Sequence, residues 1–559
     1  MLDPENSCYP VNPRPIWCKI SPRTAFSLLP RRQVVRHLTL DQAFVGSNPA
    51  AAVYFFDYRS AQIRLTSASG TQIRKIASAN RLYLHLIMSP PTEPDPKSPP
   101  TTTAANQQTR AIILAAGKST RMKSKTPKGL HPVRGKRVIT HCLDNAIAAT
   151  HTKPIVVIGH AAEEMRAAIG DSADFALQTE QLGTGHAVLM AEVVAQGSTR
   201  LLVTYGDMPL LRPDTFKALI DLQIQTGAAI SMLTLVTTNP RGFGRIIRNA
   251  NGLVAAIVEE ISCSPEQLRM NEVNPGVYCF DGTWLWQALK RITPNPRKGE
   301  YFLTDLVEIA VADGREVHAT VTHDADECIG INTRVDLADT DAALRQRLNR
   351  MHMLNGVSII DPASTYIDID VEIGIDSVIL PNTHLLARTS IGTDCVIGPN
   401  SLLSNAQISS RVEIRQSVVR DSQVDADADV GPFAHLRNNT HVCAGAHVGN
   451  FGEMKNTIFG KDSKMGHFSY LGDATVGESV NIGAGAITCN YDGVNKNPTI
   501  LEDNVFVGSD TMLVAPLKIG KNARTGAGSV VTKDVPADAL VVGMPARVIR
   551  RANGTALEA

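Results

Sequence analysis

Residues 366–404 read YIDIDVEIGIDSVILPNTHLLARTSIGTDCVIGPNSLLS, and an aliphatic residue recurs in this stretch at every sixth position. A spacing of six that persists this long is a repeat signature, and three hexads make one triangular coil of a parallel β-helix. We therefore expect each of these side chains to point into the prism, with small residues at its corners. The repeating positions are Ile367, Ile373, Ile379, Leu385, Ile391, Ile397 and Leu403.

The same period returns further along the chain, after a shift of register. It predicts inward side chains at Val412, Val418, Val424 and Val430, and again at Val507, Leu513 and Ile519. Between about 431 and 500 the pattern is interrupted by polar residues. Residues 357–559 are therefore expected to form one β-helix domain, whose coils need their neighbours to complete a core. Aromatic residues make up only 5% of the chain, which we attribute to a prism too narrow for rings.

Residues 110–332 have a different pattern, in which short aliphatic runs alternate with helical stretches. Such runs are typical of buried parallel strands joined by helices, so we expect an α/β, Rossmann-like nucleotide-binding domain here. An amphipathic helix over 336–353 is predicted to lie within a linker of residues 333–356. The predicted strands are Ala111–Ala115, Ile155–Ile158, Leu201–Tyr205 and Ala229–Val236.

Residues 1–109 show no sustained helical or strand period, and they end in a tract from Ser89 to Thr103 dominated by Pro, Ser and Thr. Such a tract is typical of an extended, disordered linker. We expect this N-terminal extension to be disordered or absent from the functional protein, which would then begin near Met88. A small folded accessory domain is the alternative.

Composition narrows the possible partners and the compartment. The chain has 559 residues and a formal charge of +1, from 55 Lys and Arg against 54 Asp and Glu, whereas binding to nucleic acid or anionic membrane favours a basic surplus. Its nine cysteines include no C-x-x-C pair, which argues against a disulfide framework or a structural zinc site. Because no run approaches the ~18 apolar residues of a membrane span, and no signal peptide is recognisable, we expect a cytoplasmic protein.

The first predicted strand is followed by Leu114-Ala-Ala-Gly-Lys-Ser-Thr-Arg-Met122. The Gly-Lys-Ser within it is not a P-loop, because the first glycine of that motif would fall at Ile112. What remains is a small-residue loop whose backbone N–H groups can approach phosphate, with Arg121 and the downstream Lys128 as cations. An isolated lysine is more commonly a solvated surface charge, so other clusters must support this interpretation.

Three such clusters follow. Gln178–His186 reads QTEQLGTGH, in which Gly183 and Gly185 suit a close backbone approach to a base or ribose. Tyr205-Gly206-Asp207 ends a predicted strand, where open α/β sheets bind ligands and where a carboxylate suits Mg²⁺. The alternative for Asp207 is a helix N-cap ahead of Pro209. Polar or glycine positions beside later strands are Gly244, Glu259, Asn274 and Asn332.

Within 431–500 the hexads carry polar residues that a solenoid core does not need. His467 is the candidate general base, because its reference pKa lies near neutrality, and its task would be to take a proton from an amine attacking a thioester. The alternative is a surface histidine without chemistry. Accompanying residues are Arg437, Glu453, Lys455, Tyr470, Asn481, Asn490 and Tyr491.

Together these motifs resemble a family, over about residues 110–550. L-A-A-G-x-x-T-R-M, the downstream P-K, Q-x-x-Q-L-G-T-G-H, Y-G-D and G-x-G-R-I resemble the sugar-1-phosphate nucleotidyltransferases. With hexapeptide repeats following, the chain is similar to the bacterial bifunctional N-acetylglucosamine-1-phosphate uridyltransferases/glucosamine-1-phosphate N-acetyltransferases. The resemblance implies a left-handed β-helix, a homotrimer, and synthesis of UDP-N-acetylglucosamine for peptidoglycan and lipopolysaccharide. It implies UTP and acetyl-CoA as cosubstrates and Mg²⁺ as cofactor.

By this resemblance, Arg121 and Lys128 would act at the triphosphate, and Asp207 and Asn332 would hold Mg²⁺. The uridine nucleotide and its sugar would be bound by Leu114, Ala115, Ala116, Gly117, Lys128, Gln178, Gly183, Thr184, Tyr205, Gly206, Asp207, Gly244, Glu259, Asn274 and Asn332.

The resemblance also implies that His467 is the base of acetyl transfer, with Glu453 a candidate to orient it. Glucosamine-1-phosphate would contact Arg437, Lys455, Tyr470 and Asn481. Acetyl-CoA would contact Ala484, Asn490, Tyr491, Ser509 and Ala527.

The chain departs from the family in several places. Ser119 stands where the family usually has glycine, and Pro275 where threonine is common. A C-terminal arginine that meets CoA in the family is not matched directly, which leaves Arg547, Arg550 and Arg551 as open alternatives. The alternative function is a monofunctional sugar-1-phosphate nucleotidyltransferase whose β-helix is structural or regulatory. A non-catalytic sugar-nucleotide sensor is disfavoured by the presence of both Asp207 and Asn332.

Overall fold

The computed structural model describes residues 53–57, 62–66 and 109–551, apart from positions 241 and 297. Strands β1 (Val53–Asp57) and β2 (Gln62–Thr66) form an antiparallel pair in the N-terminal unit, where the sequence predicted no strand. The rest of the predicted N-terminal extension, including the tract Ser89–Thr103, lies outside the described residues.

The α/β part of the chain is built on one ten-stranded mixed sheet. Its strands are β3 (Thr109–Ala115), β6 (Ile155–Ile158), β7 (Asp174–Leu177), β8 (Arg200–Tyr205), β9 (Ile230–Val236), β10 (Gly244–Arg248), β11 (Val254–Val258), β12 (Glu272–Asn274), β13 (Tyr278–Asp281) and β14 (Val317–Thr322). A separate two-stranded ribbon consists of β4 (Pro132–Val133) and β5 (Lys136–Arg137). The helices are α1 (Val138–Thr150), α2 (Ala162–Ile169), α3 (Thr184–Leu189), α4 (Pro213–Thr226), α5 (Gly282–Leu289) and α6 (Asp305–Ala312).

The four predicted strands are present as β3, β6, β8 and β9. Strand β3 pairs in parallel with both β6 and β8. Strand β9, predicted to be parallel, is instead antiparallel to β12 and β13 and parallel only to β14. A buried apolar run has the same appearance in either orientation, so the sequence could not reveal this mixed pairing. At β3 and β8 the parallel pairing aligns two carboxyl ends at one edge of the sheet.

A single helix, α7 (Arg334–Leu354), follows the α/β part, as the amphipathic pattern predicted. Thr333 caps it in a reciprocal capping box with Asp336, which satisfies two backbone donors of the first turn. Leu344 and Leu348 are buried in a cluster with Met122 and Val133 of the α/β part. This helix therefore packs directly against the loop that carries Arg121.

The remaining chain is a left-handed parallel β-helix with three faces. The first face contains Ser358–Ile359, Val378–Ile379, Val396–Ile397, Glu413–Ile414, Asp429–Val430, His447–Val448, Lys464–Met465, Asn481–Ile482, Phe506–Val507, Arg524–Thr525, Ala539–Gly543 and Ala546–Arg551. The second face contains Tyr366–Ile367, His384–Leu386, Leu402–Ser404, Val418–Arg420, His435–Arg437, Gly452–Lys455, Ser469–Gly472, Ile487–Cys489, Met512–Val514 and Val530–Val531. The third face contains Glu372–Ile373, Ser390–Ile391, Gln407–Ile408, Gln423–Val424, His441–Val442, Ile458–Phe459, Ala474–Val476, Thr499–Leu501 and Leu517–Ile519.

The hexad prediction is confirmed for the first stretch, because Ile367, Ile379, Leu385, Ile397 and Leu403 are fully buried. The predicted second register is wrong at Val418, which is only half-buried, whereas its neighbour Val419 is fully buried in the prism. Between Leu403 and Val424, three sides of the prism have five residues instead of six, because the buried inward residues are Leu403, Ile408, Ile414, Val419 and Val424. Each shorter side moves the inward position away from a strict spacing of six, which is why Val418 was assigned in place of Val419.

The predicted interruption between 431 and 500 is also wrong as a structural statement. The coils continue through it, with Met454, Phe459, Met465 and Leu471 fully buried. Phe459 also overturns the expectation that the prism has no room for a ring. The excursion from the coil is a loop after Asn490, where Tyr491 bridges Lys496. The polar residues in this stretch therefore lie on the outside of a prism whose coils are continuous.

Candidate functional sites

The first site lies where β3 and β8 end side by side. Gly206 donates its backbone N–H to the carbonyl of Leu114 at 2.9 Å, and Ile331 donates to the carbonyl of Asp207 at the same distance. These two bonds join the loop after β3, the Tyr205-Gly206-Asp207 segment and the approach to α7. Three sequence-distant segments therefore meet at one edge of the sheet, as the strand-end argument predicted.

Four predicted residues meet at this edge. Lys128 Nζ donates to the Asp207 carboxylate and lies 3.4 Å from Asn332 Oδ1. Arg121 donates to the same Asn332 oxygen at 2.9 Å. The alternative of Asp207 as a helix N-cap is excluded, because α4 begins at Pro213 with Arg212 as its N-cap. Two cations and two oxygen donors thus form one cluster.

This donor set fits Mg²⁺. A carboxylate oxygen of Asp207 and the amide oxygen of Asn332 both lie next to a single atom, Lys128 Nζ, so both can approach a common centre. Mg²⁺ prefers one or two protein oxygens and keeps its other positions for water and phosphate oxygens. The arrangement therefore has the chemistry expected of a magnesium–phosphate site.

Gln178 and Gly183 form a second wall of this region. The buried Gln178 donates from Nε2 to the Gly183 carbonyl at 3.1 Å, and the same nitrogen lies 3.1 Å from His186 Nδ1. Gly183 has φ of +101°, and a Cβ there would lie 2.6 Å from the Tyr301 carbonyl oxygen. The close approach predicted at Gly183 is therefore to the chain's own 300–303 segment. Thr184 is tied to this segment as well, because its hydroxyl accepts from Leu303 N–H at 3.0 Å.

The predicted sugar residues lie on neighbouring strands. Gly244 of β10 is in register with Asn274 of β12. The Asn274 amide donates to the Tyr278 hydroxyl at 2.7 Å and accepts from Gly276 N–H at 3.0 Å, so it is rigidly held. Glu259 is exposed. Burial, with the nearby Asp207 and Glu259 carboxylates, raises the pKa of Tyr205, whose ring packs over Gly276.

The second site is a cavity of about 570 Å³ at the corner that follows the first face of the β-helix. His467 lies in its wall, together with the predicted residues Asn481, Ala484, Ser509 and Ala527. The His467 side chain is exposed, and among the described residues it has no hydrogen-bond or ion-pair partner. The wall also contains residues that were not predicted, among them His447, Lys464 and Phe506. These three lie on outward-facing positions of regular coils, so no break in the hexad pattern identified them.

Arg437, Lys455 and Tyr470 lie on successive coils of the second face rather than in the cavity. Lys455 lies 3.5 Å from Asp473, and Asn490, predicted to contact acetyl-CoA, donates to that same carboxylate at 2.5 Å. Within one chain, Asn490 therefore groups with the predicted sugar-phosphate residues. Tyr491, also assigned to acetyl-CoA, is exposed in the adjoining loop.

The predicted contact of Glu453 with His467 is wrong. Glu453 Oε1 instead accepts two hydrogen bonds from the Arg437 guanidinium, at 3.0 and 2.7 Å. Residues on neighbouring coils of one face are in register, and Glu453 lies one coil from His435 and Arg437, whereas His467 lies at a corner. Glu453 therefore fixes the orientation of Arg437.

Lys496 is a functional candidate that sequence reasoning missed. Its contact with the Lys455 amine lowers the pKa of Lys496. Three cations, Lys455, Lys496 and Arg437, therefore outnumber the two carboxylates of Asp473 and Glu453 here, and the excess positive charge favours an anion. Lys496 lies in the loop after Asn490. This loop has no hexad pattern from which the contacts of its side chains could be predicted.

The fold and the two sites define a class: a nucleotidyltransferase domain joined to a hexapeptide-repeat acyltransferase domain. Residues 111–254 match the model of the MobA-like NTP transferase domain. Residues 370–405 match that of the bacterial transferase hexapeptide (six repeats), and residues 498–533 match the hexapeptide repeat of succinyl-transferase.

Similar curated proteins are called Bifunctional protein GlmU. That of Exiguobacterium sibiricum is 47% identical over 433 residues, which cover 77% of this chain and 96% of the relative. That of a Geobacillus species is 45% identical over 444 residues, covering 79% and 96%. That of Streptococcus agalactiae serotype V is 46% identical over 434 residues, covering 78% and 95%. The chain belongs to this bifunctional family.

The prediction of a bifunctional uridyltransferase and acetyltransferase is thereby confirmed, and the monofunctional alternative is not supported. Within the part of the chain that the structure describes, no helix has both the length and the apolar composition needed to cross a membrane. The cytoplasmic location stays a prediction.

Proposed function

We propose that the two clusters divide the two half-reactions between them. The acetyltransferase would be residues 357–559 and the uridyltransferase residues 110–332, with 333–356 as the linker. The observation that carries this proposal is that the Lys128–Asp207–Asn332 cluster and the His467 cavity share no residue. The product of the first reaction, N-acetylglucosamine-1-phosphate, would be the substrate of the second.

In uridyl transfer, a phosphate oxygen of the sugar phosphate attacks the α-phosphorus of UTP and the bond to the β-phosphate oxygen breaks, releasing pyrophosphate. This chemistry depends on positioning and charge neutralisation rather than on a protein nucleophile. Arg121 and Lys128 supply positive charge, and Asp207 and Asn332 would hold Mg²⁺. When bound, Mg²⁺ adds further neutralisation of phosphate charge. Gln178, held by Gly183 and His186, would present its free amide oxygen to the base.

In acetyl transfer, the amine nitrogen of glucosamine-1-phosphate attacks the thioester carbonyl carbon of acetyl-CoA, and the carbon–sulfur bond breaks. His467 would take the proton that the amine loses, since its side chain lines the cavity and is exposed. CoA leaves as a thiolate and is protonated. Ala484, Ser509 and Ala527 would contact acetyl-CoA, while Arg437, Lys455 and Lys496 would bind the sugar phosphate.

Arg547 is our choice among the three C-terminal arginines for a contact with CoA. It is exposed and in register with Val542. The Val542 side chain covers Gly526, a wall residue of the cavity. Arg550 is paired with Leu540, further along the hairpin.

We also propose a homotrimer, in which the second face of one chain completes the cavity of another. Phe433, Phe451 and Phe468 lie on successive coils and are 52%, 59% and 57% exposed. The rings of Phe433 and Phe451 stack with centroids 5.2 Å apart. An exposed aromatic ridge of this kind marks an interaction surface, and its position next to His467 favours a site shared between chains.

Two substitutions test whether the two half-reactions use separate sites, and each variant is assayed for both half-reactions. Asp207→Ala should abolish uridyl transfer and retain acetyl transfer, and His467→Ala should do the reverse. Asp214→Ala and His318→Ala, away from both clusters, are the controls. Loss of both activities from either change, with the fold intact, would refute separate sites.

The trimer has its own test. Phe451→Ser should lower the sedimentation coefficient and reduce acetyl transfer, with uridyl transfer retained. Val193→Ser, an exposed position in the α/β part, is the control. A wild-type protein that sediments as a monomer while acetylating at full rate would rule the shared site out.

A further inference from the structure

The third face of the β-helix carries a cluster that neither half-reaction uses. The parallel pairing sets Gln423 opposite His441 and Val424 opposite Val442. Because side chains alternate along a strand, residues on both sides of the buried valines point outward. Gln423 and Asp425 on one coil, and His441 and Cys443 on the next, therefore form a square of polar side chains.

The spacing of this square suits a metal ion. One donor atom each from Asp425, His441 and Cys443 lies within 4.8 Å of the other two. Asp425 Oδ2 and His441 Nε2 are 2.8 Å apart. A tetrahedral ion with bonds of about 2.0–2.3 Å needs its ligand atoms roughly 3.3–3.8 Å apart. Small side-chain rotations would bring the three donors to that separation.

The surroundings also favour binding. Gln423 Nε2 donates to Asp425 Oδ1 at 2.8 Å and so orients the carboxylate, as outer partners of metal ligands do. Asp425 and His441 are only 28% and 34% exposed, and Cys443 is a free, half-buried thiol. On the next coil, Phe459 is in register with Val442. Gly460 is therefore the neighbour of Cys443 on that coil, and it has no side chain to cover the sulfur.

We propose that Asp425, His441 and Cys443 bind a divalent transition-metal ion of the Zn²⁺ class, with water or the Gln423 amide oxygen as the fourth ligand. A mixed set of nitrogen, sulfur and carboxylate donors selects such ions over Mg²⁺, which takes oxygen ligands. The thiol proton is released to solvent as the metal–sulfur bond forms. Asp425 and the thiolate then neutralise the two positive charges. The ion clamps two successive coils, and the site is separate from the magnesium site proposed at Asp207.

Burial, followed by the nearby Asp425 and Glu478 carboxylates, raises the pKa of the Cys443 thiol. The spectroscopic signature of the site is the metal–thiolate bond that Cys443 forms when it gives up its proton to solvent.

The test uses the full chain, stripped of metal with a chelator, and Co²⁺ as the probe. One equivalent of Co²⁺ should produce a thiolate-to-cobalt charge-transfer band. A site with only oxygen ligands, such as the magnesium site proposed at Asp207, cannot give this band. Cys443→Ser should abolish the band, and His441→Gln should weaken Co²⁺ binding by about tenfold or more. Cys263→Ser, a half-exposed cysteine in the α/β part, is the matched control and should keep the band.

Zn²⁺ should raise the thermal midpoint of the wild type and of Cys263→Ser but not of Cys443→Ser. Both half-reactions should be unchanged in Cys443→Ser, which also shows that this variant folds. A wild-type protein without the charge-transfer band, or a Cys443→Ser protein that retains it, would overturn the proposal.

Discussion

Arg121 donates a 2.9 Å hydrogen bond to the side-chain oxygen of Asn332, a residue 211 positions away in the sequence. Asn332 immediately precedes the Thr333 cap of α7, and Arg121 lies in the loop after the first strand of the sheet. The bond therefore links the loop after β3, which we propose binds phosphate, to the start of the helix between the α/β part and the β-helix.

Asn332→Ala should lower uridyl transfer about 100-fold, because it removes a proposed Mg²⁺ ligand together with the oxygen that positions Arg121 and lies beside Lys128. The concentration of Mg²⁺ for half-maximal rate should rise in parallel. Acetyl transfer should be unchanged, since the backbone and the capping box remain. Steady-state kinetics of both half-reactions measure this, with the exposed Asn251→Ala as control. Unchanged uridyl transfer would show that the Asn332 contact has no catalytic role.

Glu453→Gln should raise the KM for glucosamine-1-phosphate by about 2–5-fold, because the half-exposed Arg437 loses an ion pair that fixes its orientation. The pH dependence of kcat should not move, since the Glu453 carboxylate is engaged by Arg437. Acetylation rates across pH measure both quantities, with the exposed Glu478→Gln as control. A shifted pH profile would instead mean that Glu453 acts on His467.

Ser119→Gly should stabilise the chain by about 0.5–1 kcal/mol. Ser119 has φ of +55° and ψ of +26°, a left-handed conformation that costs a residue with a Cβ roughly 1–2 kcal/mol. The greater freedom of glycine in the unfolded chain cancels about 0.5–1 kcal/mol of that gain. Ser119→Ala keeps the Cβ and should show no gain. Urea unfolding compares the variants, and equal stability of the glycine and alanine variants would contradict the strain argument.

Asp305→Asn should alter the pH dependence of stability. Burial, then the Glu308 and Glu259 carboxylates, raises the pKa of Asp305 from 3.8 to about 6. The folded protein therefore binds more protons than the unfolded chain between these values, and wild-type stability falls as pH rises through this window.

The asparagine variant should be more stable than wild type above pH ~6, by on the order of 1 kcal/mol after discounting for partial exposure, and equal to it below pH ~4. Urea unfolding at several pH values tests this. Asp214→Asn is the control, because Asp214 also lies in the first turn of a helix but is 92% exposed. A constant difference at all pH values would mean that Asp305 does not titrate in this window.

Much of the fold could be predicted, because its signals are local. The aliphatic residues from Ile367 to Leu403 repeat every six residues, which is the length of one side of the prism. The apolar run at 111–115 predicts the first strand of the α/β sheet. The misassignment at Val418 arose because three sides of the prism between Leu403 and Val424 are one residue shorter, and a period cannot reveal where a side shortens. Phe459 was unexpected because a ring fits the prism wherever neighbouring inward residues leave volume, which depends on packing.

For the sites, the sequence by itself determined which residue types are available: the cations Arg121 and Lys128, the oxygen-bearing side chains of Asp207 and Asn332, and the imidazole of His467. Only the tertiary structure decided which of them meet. Glu453 pairs with Arg437 because of the register between neighbouring coils. Lys496 lies beside Lys455 because of the path of the loop after Asn490. Those distances depend on the whole folded chain, and no short segment contains them.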